Sequence, residues 1–270
     1  MLQTYEGRGR CPAQPQKLPE GSSKLNWFMA EPTSVLIPAL DEEESIAQVI
    51  AEIPRESCHQ ILVVDNGSRD RTAVRAREAG AEVVREPRRG YGRACRAGLR
   101  RLQPATEVVV FLDADHSDFP SELPLLTGPL YAGRADLVLG SRSLRSENRR
   151  FLRWHQSWGN RLALALVRLF YGQRFTDFGP FRAIRRSALE GLRLRDPTWG
   201  WNVEMQIKAA GAGLRIEEVA LRYRERIGRS KISGTFLGSM RAGSKILWTI
   251  LRHRFGLTSA AGLERRARLL

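Results

Sequence analysis

The 270-residue chain carries 44 Lys and Arg against 29 Asp and Glu, a formal net charge of +15, with 42% hydrophobic and 27% charged residues. That balance excludes a disordered or fibrous chain, leaves room for one sizeable core, and implies a polyanionic partner: nucleic acid, an anionic membrane surface or phosphorylated substrates. Three scattered cysteines, Cys11, Cys58 and Cys95, exclude a disulfide framework and a zinc site and point to a reducing cytosol.

Residues 1–33 are rich in Gly, Pro, Gln and Ser, with no apolar period, and are expected to form a mobile tail. Met29, just ahead of the first strand, is an alternative start. No apolar h-region of a signal peptide stands at the N-terminus, and no apolar run approaches the length of a membrane span.

From Ser34 the pattern alternates. Ser34–Ile37 reads as a strand. Asp41 reads as the N-cap of a helix with Glu44 completing a capping box, and Ile46, Val49, Ile50 and Ile53 follow at helical spacing. Ile61–Val64 is a second strand, Asp70 caps a helix that stops at Gly80, and Ala81–Arg85 is a third strand. Gly90–Leu102 is a basic helix and Val108–Leu112 a wholly apolar strand, the pattern of a sheet covered on both faces. Helix at Ser121–Ala132, strand at Asp136–Leu139, a long helix within Phe151–Tyr171, a helix at Val203–Ala210 and a strand at Leu214–Tyr223 follow. Strand and helix alternating at this pitch predict an α/β fold with a doubly wound, mainly parallel sheet.

Ligands of such sheets bind beyond the carboxyl ends of the strands, at the switch in strand order. The segments there are Pro38–Glu43, Asp65–Asp70, Asp113–Asp118 and Gly140–Arg142. Asp113 and Asp115, two apart at a strand end, can reach one hard cation, which would neutralise charge on a departing diphosphate. On its own the pair equally suits a solvated turn. Gly90-Tyr91-Gly92 lacks the third glycine of a dinucleotide fingerprint and excludes a Rossmann dehydrogenase; no Walker A sequence occurs.

In order, Val35–Glu43 (VLIPALDEE), Val63–Asp70 (VVDNGSRD), Phe111–Asp115 (FLDAD), Gly140–Arg142 (GSR), Asp177–Arg182 (DFGPFR) and Arg226–Lys231 (RIGRSK) resemble the motifs of family 2 glycosyltransferases. The likeness covers about residues 34–235 and is greatest to the dolichol-phosphate mannosyltransferase and glucosyltransferase branch. The resemblance implies a GT-A fold and inverting transfer of a hexose from a nucleotide diphosphate-sugar such as UDP-glucose or GDP-mannose. It places Pro38, Ala39, Glu42 and Asp65 in the nucleoside pocket. It gives Asp113 and Asp115 to Mg²⁺ or Mn²⁺, and Arg142, Arg226, Ser230 and Lys231 to phosphates of donor and acceptor. It divides the domain into a nucleotide-sugar half, 34–142, and an acceptor half, 143–235. Three positions depart from the family pattern: Asn66 stands for the second aspartate, Leu40 and Asp41 for a Tyr-Asn pair, and Ser117 for a glutamine metal ligand, with Asp118 adjacent.

A hydroxyl acceptor would need a base, for which Asp177 and Glu204 are the candidates; a polyprenyl phosphate is already anionic and needs none. The arginine excess favours the phosphate, with a small hydroxyl acceptor as the alternative. Residues 236–270 form a basic C-terminal segment. Phe236, Met240, Leu247, Ile250 and Leu251 share one face of its helix, with Arg241, Lys245 and Arg252 at the edge. That pattern suits a helix lying on an anionic membrane, making the protein peripheral at the cytoplasmic face; a helix packed on the core fits it equally. Nucleic acid is not expected, because the arginines sit in helices and phosphate segments without interleaved stacking aromatics. A nucleotidyltransferase would want a glycine-rich loop after the first strand, and Pro38–Glu43 has none.

Overall fold

The structure, a computed structural model, describes residues 32–151, 154–228 and 236–255. Seven strands form one sheet: β1 (Thr33–Ala39), β2 (Gln60–Asp65), β3 (Glu82–Arg85), β4 (Val108–Phe111), β5 (Leu137–Ser141), β6 (Arg182–Arg185) and β7 (Ile216–Ala220). Their order is β3-β2-β1-β4-β6-β5-β7. All pairings are parallel except those of β6, which runs antiparallel to both β4 and β5. The expected α/β, mainly parallel sheet is therefore present.

Residues of β1, β2, β4 and β5 are buried along their whole length, whereas edge strands β3 and β7 are not. The apolar run of β4 follows from helices lying on both faces. One face buries α1 (Ile46–Ala51), α2 (Thr72–Glu78) and α4 (Leu123–Tyr131). The other buries α3 (Tyr91–Leu99), α6 (Arg186–Leu192) and α7 (Trp201–Gly211), with α5 (Trp154–Tyr171) and α8 (Phe236–Arg254) outside them.

Three expectations need correction. Asp41 does not cap α1: it sits in the left-handed region at φ 52°, and the helix begins after Ser45, whose side chain makes no capping bond. Strand β6 and helix α6 were not foreseen, because Arg182-Ala183-Ile184-Arg185 has only two apolar residues between two arginines. The face of α8 expected to meet a membrane instead docks on protein over its C-terminal half. Ile250 is fully buried, Leu247 packs on the core, Tyr171 Oη donates to the Ile250 carbonyl (3.2 Å), and Lys245 is 2.8 Å from Asp196. Ser230, Lys231, Cys11 and nearly all of the 1–33 tail lie outside the described residues; Thr33 already belongs to β1.

Candidate active site

The chain runs outward from β1 to β2 and β3, then returns to the other side of β1 as β4. Two loops therefore diverge where β1 and β4 end, which is where an open α/β sheet offers a crevice. Both loops turn on a non-glycine residue with positive φ: Asp41 after β1 and His116, at 60°, after β4. Such backbone is held only when its surroundings over-determine it. Asp41 accepts from the Arg69 amide (2.7 Å) while its own amide donates to Ser68 Oγ (3.0 Å). His116 Nε2 is 2.8 Å from Glu52, and Arg224 grips both the His116 carbonyl (2.6 Å) and Glu52 (2.7 Å).

On the nucleotide side, Pro38 and Ala39 end β1 beside Val64 and Asp65 of β2. Asp65 Oδ1 accepts from the Ser68 amide (3.0 Å), and the Glu42 amide donates to Thr72 Oγ1 (2.8 Å). The side chain of Asn66 donates to the carbonyls of Glu86 (3.0 Å) and Arg88 (2.9 Å) and accepts from the Gly90 amide (2.7 Å). An aspartate could not donate those two bonds, which is a structural reason for asparagine here. A groove of about 410 Å³ opens between Asp41–Glu44, Asp70 and Ile227–Gly228.

At the end of β4 the two carboxylates of the D-A-D turn have different neighbours. Asp115 Oδ1 accepts from the Ser117 amide (3.0 Å) and hydroxyl (2.6 Å); Asp115 Oδ2 lies 2.6 Å from the Arg226 guanidinium. Asp113 Oδ1 is buried with no hydrogen-bond partner among the described residues. Burial and the charge of Asp115 push the Asp113 carboxyl up to about 7, against the pull of Arg226. Asp118, buried with Oδ2 also unpartnered among the described residues, is driven well above the carboxylate range by burial and by Asp113.

Two mutually repelling carboxylates, Asp115 buried and Asp113 half-buried, fit a divalent cation. Among the described residues no third His, Cys, Asp or Glu joins them. That donor set matches Mg²⁺ or Mn²⁺ taking its remaining ligands from substrate phosphate and water. Ser117, standing where a glutamine ligand was expected, is spent on Asp115.

On the acceptor side, Arg142 after β5 forms a two-point pair with Asp177: Nε to Oδ2 at 2.6 Å and Nη2 to Oδ1 at 2.8 Å. A Cβ at Gly179 would fall 2.5 Å from the Gly140 carbonyl, so this close approach of the two loops requires glycine. Burial would raise Asp177, but Arg142 and the amides of Arg142 and Phe178 outweigh it and hold the carboxyl below its usual range. The Gln206 side chain braces the Asp177 carbonyl from α7 (3.1 Å).

Glu204 lies outside this constellation, contrary to expectation. Fully buried, it accepts from the Arg195 and Asp196 amides (3.0 and 2.6 Å) and sits 2.8 Å from Lys208 and 3.5 Å from His253 of α8. Burial opposes its charge, yet these partners bring it down to about 2. It anchors α8 rather than facing the cleft. The structure thus brings together Asp113, Asp115, Asp118, Asp177, Arg142 and Arg226, with Pro38, Ala39, Glu42 and Asp65 beyond β1.

Sequence reasoning passed over Tyr91, Arg182 and Asn202. Burial, and after it the charge of Asp113, push the Tyr91 phenol well above its usual range, against the pull of Arg182. Arg182, fully buried, donates to the carbonyls of Asn202 (3.0 Å) and Gly179, and burial lowers it to about 10. The available signal was an aromatic between two glycines at a helix start.

Comparison with known proteins agrees with this geometry. The family model "Glycosyl transferase family 2" matches residues 34–193. An uncharacterised glycosyltransferase of Mycobacterium tuberculosis is 40% identical over 212 residues, covering 77% of this chain and 92% of its own. The undecaprenyl-phosphate mannosyltransferase of Micrococcus luteus is 32% identical over 246 residues, covering 82% and 98%. Glucosyl-3-phosphoglycerate synthase from M. tuberculosis, solved with Mn²⁺, UDP and glucosyl-3-phosphoglycerate, superposes with a TM-score of 0.68 at 26% identity, covering 87% and 83%.

Proposed function

The chain belongs to glycosyl transferase family 2, and from that premise we propose that it moves a hexose from a nucleotide diphosphate-sugar to a polyprenyl phosphate, with inversion. One observation carries the acceptor: both carboxylates expected to serve as a base are spent. Asp177 is locked to Arg142, and Glu204 is committed to α8. A hydroxyl acceptor needs its proton removed as it attacks. A phosphate oxygen arrives anionic and needs only positioning and relief of repulsion from the donor diphosphate. Arg142 and Arg226 both draw Asp113 toward its charged form and are the cations available to supply that relief. The substrate named for the M. luteus relative supports the same class.

In this reading residues 34–142 take the donor and 143–235 the acceptor. Pro38, Ala39, Glu42 and Asp65 line the nucleoside pocket. Asp113 and Asp115 would hold Mg²⁺ or Mn²⁺, whose chemistry when bound is to neutralise the departing diphosphate. Arg226 exchanges Asp115 for phosphate oxygens; the resemblance assigns Ser230 and Lys231, outside the described residues, to phosphates as well.

Asp118 favours a second reading, a small hydroxyl acceptor. A buried carboxyl with raised proton affinity beside the cleft is the kind of group that can take a proton, and the glucosyl-3-phosphoglycerate synthase complex holds a small product.

Contact with an anionic membrane follows from the lipid acceptor. Among the described residues no helix is long and apolar enough to cross a bilayer. Leu162 and Leu169, 53% and 73% exposed, are seven apart on α5, and Trp248 and Phe255, 48% and 63% exposed, are seven apart along α8 and its end. Exposed Arg161, Arg168 and Arg254 stand among them. Apolar residues edged by arginine suit shallow seating at the cytoplasmic face of an anionic bilayer.

The test is transfer of labelled hexose from UDP-glucose and GDP-mannose, with and without Mn²⁺, to undecaprenyl phosphate or to phosphoglyceric acid. Label in the organic phase supports the first reading and label on phosphoglyceric acid the second. Absence of both transfer and donor hydrolysis would sink both.

A further inference from the structure

Strands β5 and β7 run side by side as far as Ser141 and Ala220, and the Leu221 amide still donates to the Ser141 carbonyl (3.2 Å). There β5 ends and the chain turns off at Arg142. The next two backbone groups on that edge, the Leu221 carbonyl and the Tyr223 amide, have run past their partner strand. Leu221 is buried, and a backbone group shut away from water needs a protein partner.

Asn148 takes the place of the missing strand. It is buried just after β5; its side-chain amide donates to the Leu221 carbonyl (2.8 Å), and its Oδ1 accepts from the Tyr223 amide (3.0 Å). In a parallel ladder a carbonyl and the N–H two residues on face one neighbouring residue, and a carboxamide offers the same donor and acceptor as that neighbour's peptide groups. Asn148 Nδ2 also donates to the Arg142 carbonyl (2.9 Å). One side chain thus satisfies backbone groups of two separate segments. Aspartate would turn a carboxylate toward two carbonyls, and serine has a single proton to give.

The other edge of the Leu221–Arg224 segment is held by the loop after β4. Tyr223 forms an antiparallel bridge with Asp118, and the Arg224 amide donates to the Ser117 carbonyl (2.9 Å). The segment is therefore clamped between the loops that follow β4 and β5. Arg142 belongs to the loop that Asn148 grips, and its guanidinium lies 5.2 Å from the Tyr223 ring centroid. Arg226 belongs to the continuation of the clamped segment. Burial opposes its charge, and Asp115, then Tyr223, outweigh that opposition.

We propose that Asn148 is a positioning residue for the acceptor: by joining the Arg142 carbonyl to the Leu221–Tyr223 backbone it sets where Arg142 stands relative to Arg226, and so shapes the cationic seat for an anionic acceptor. This rests on the glycosyltransferase reading above. Arg226 is tied to the D-A-D turn independently, through the Ile227 amide and the Asp115 carbonyl (3.0 Å). Loosening Asn148 therefore frees the Arg142 loop and leaves the metal and nucleotide side in place. A seat that is already formed loses less ordering entropy when the acceptor arrives.

Asn148→Ala and the milder Asn148→Ser are compared with the unaltered protein in two measurements. One is transfer from UDP-glucose and GDP-mannose to undecaprenyl phosphate and to phosphoglyceric acid; the other is the Mn²⁺-dependent thermal shift with UDP and GDP. Expected is an acceptor KM raised roughly 3- to 10-fold for each hydrogen bond lost, with kcat changed far less and the nucleotide shift retained. An earlier melt with acceptor KM unchanged would make Asn148 a structural residue only and overturn the assignment. Loss of the nucleotide shift together with acceptor affinity would overturn it as well, since the effect would then be on the whole cleft. Should the alanine variant not fold, the serine variant decides by the same split. Transfer by the unaltered protein to neither acceptor would sink the acceptor reading and this assignment with it. Normal transfer by the unaltered protein with unchanged KM in the variants removes this assignment alone.

Discussion

Asp115 divides its carboxylate between two tasks: one oxygen is held by the Ser117 amide and hydroxyl, the other lies 2.6 Å from the Arg226 guanidinium. The first contact fixes the turn, and the second stores a cation where a metal–diphosphate complex would form. Arg226 is carried on a segment stitched to the D-A-D turn: the Arg224 amide donates to the Ser117 carbonyl (2.9 Å), the Ile227 amide to the Asp115 carbonyl (3.0 Å), and the Arg222 and Arg224 guanidinium groups lie 4.3 Å from the Phe119 ring centroid. The D-A-D turn and the Arg222–Ile227 segment are therefore mechanically linked.

Metal-dependent donor binding should follow from this pairing. At a hundred times its dissociation constant, a nucleotide–Mn²⁺ complex adds about 2.7 kcal/mol of stability. Asp113→Asn and Asp115→Asn should abolish the Mn²⁺-dependent part of the thermal shift with UDP or GDP. Retention of that part in both variants would show that the metal sits elsewhere.

The Arg142–Asp177 pair should behave as a brace. Asp177→Asn leaves a buried guanidinium with a poorer partner, and breaking such pairs costs about 3–5 kcal/mol. Arg142→Lys keeps the charge and loses the two-point fork, so it should destabilise less while still slowing transfer. Urea unfolding measures the first effect and initial rates the second. Destabilisation by Asp177→Asn well under 1 kcal/mol would show that the pair is not structural.

Asp118→Asn separates the two acceptor readings. With a phosphate acceptor no proton is removed, and the turnover number should fall less than about tenfold. With a hydroxyl acceptor the loss of a general base should cost about 10²- to 10⁴-fold. The same variant with each acceptor gives the answer directly.

Glu204 makes a prediction about pH. Its folded value of about 2 lies below the ordinary 4.5, so its contribution to stability is present above about pH 4.5 and is lost as pH falls toward 2. Glu204→Gln should melt earlier than the unaltered protein at neutral pH, with the difference narrowing in acid. Its turnover per folded molecule should be retained. Loss of turnover without loss of stability would restore Glu204 as a base.

Vesicle sedimentation tests the α5–α8 face. Leu169→Glu with Trp248→Glu should release the protein from vesicles containing phosphatidylglycerol, while nucleotide binding stays unchanged. Equal sedimentation of both forms would place the membrane contact elsewhere.

The sheet and its helices were legible because they rest on period and continuity. The apolar runs of β1, β2 and β4 and the spacing of Ile46, Val49 and Ile50 can be satisfied in one way only, by burial on both faces of a parallel sheet. Strand β6 was not legible. Its residues read as a strand only when β4 and β5 stand on either side, each supplying a ladder of hydrogen bonds. Local pattern carries no information about partners more than 40 residues away.

The same division holds at the site. By itself the sequence determined the chemical inventory: carboxylates at strand ends, arginines in later segments, and six motifs in order. Only the tertiary structure decided which of these groups are already committed. Glu204 and Asp177 are the same kind of acid in the sequence, yet one anchors α8 and the other braces Arg142 beside the cleft. Asn148 and Tyr223, 75 residues apart, meet because β5 and β7 lie side by side in the sheet. Burial and proximity set proton affinity and unmet hydrogen-bonding demand, and both are properties of the folded environment rather than of any residue alone.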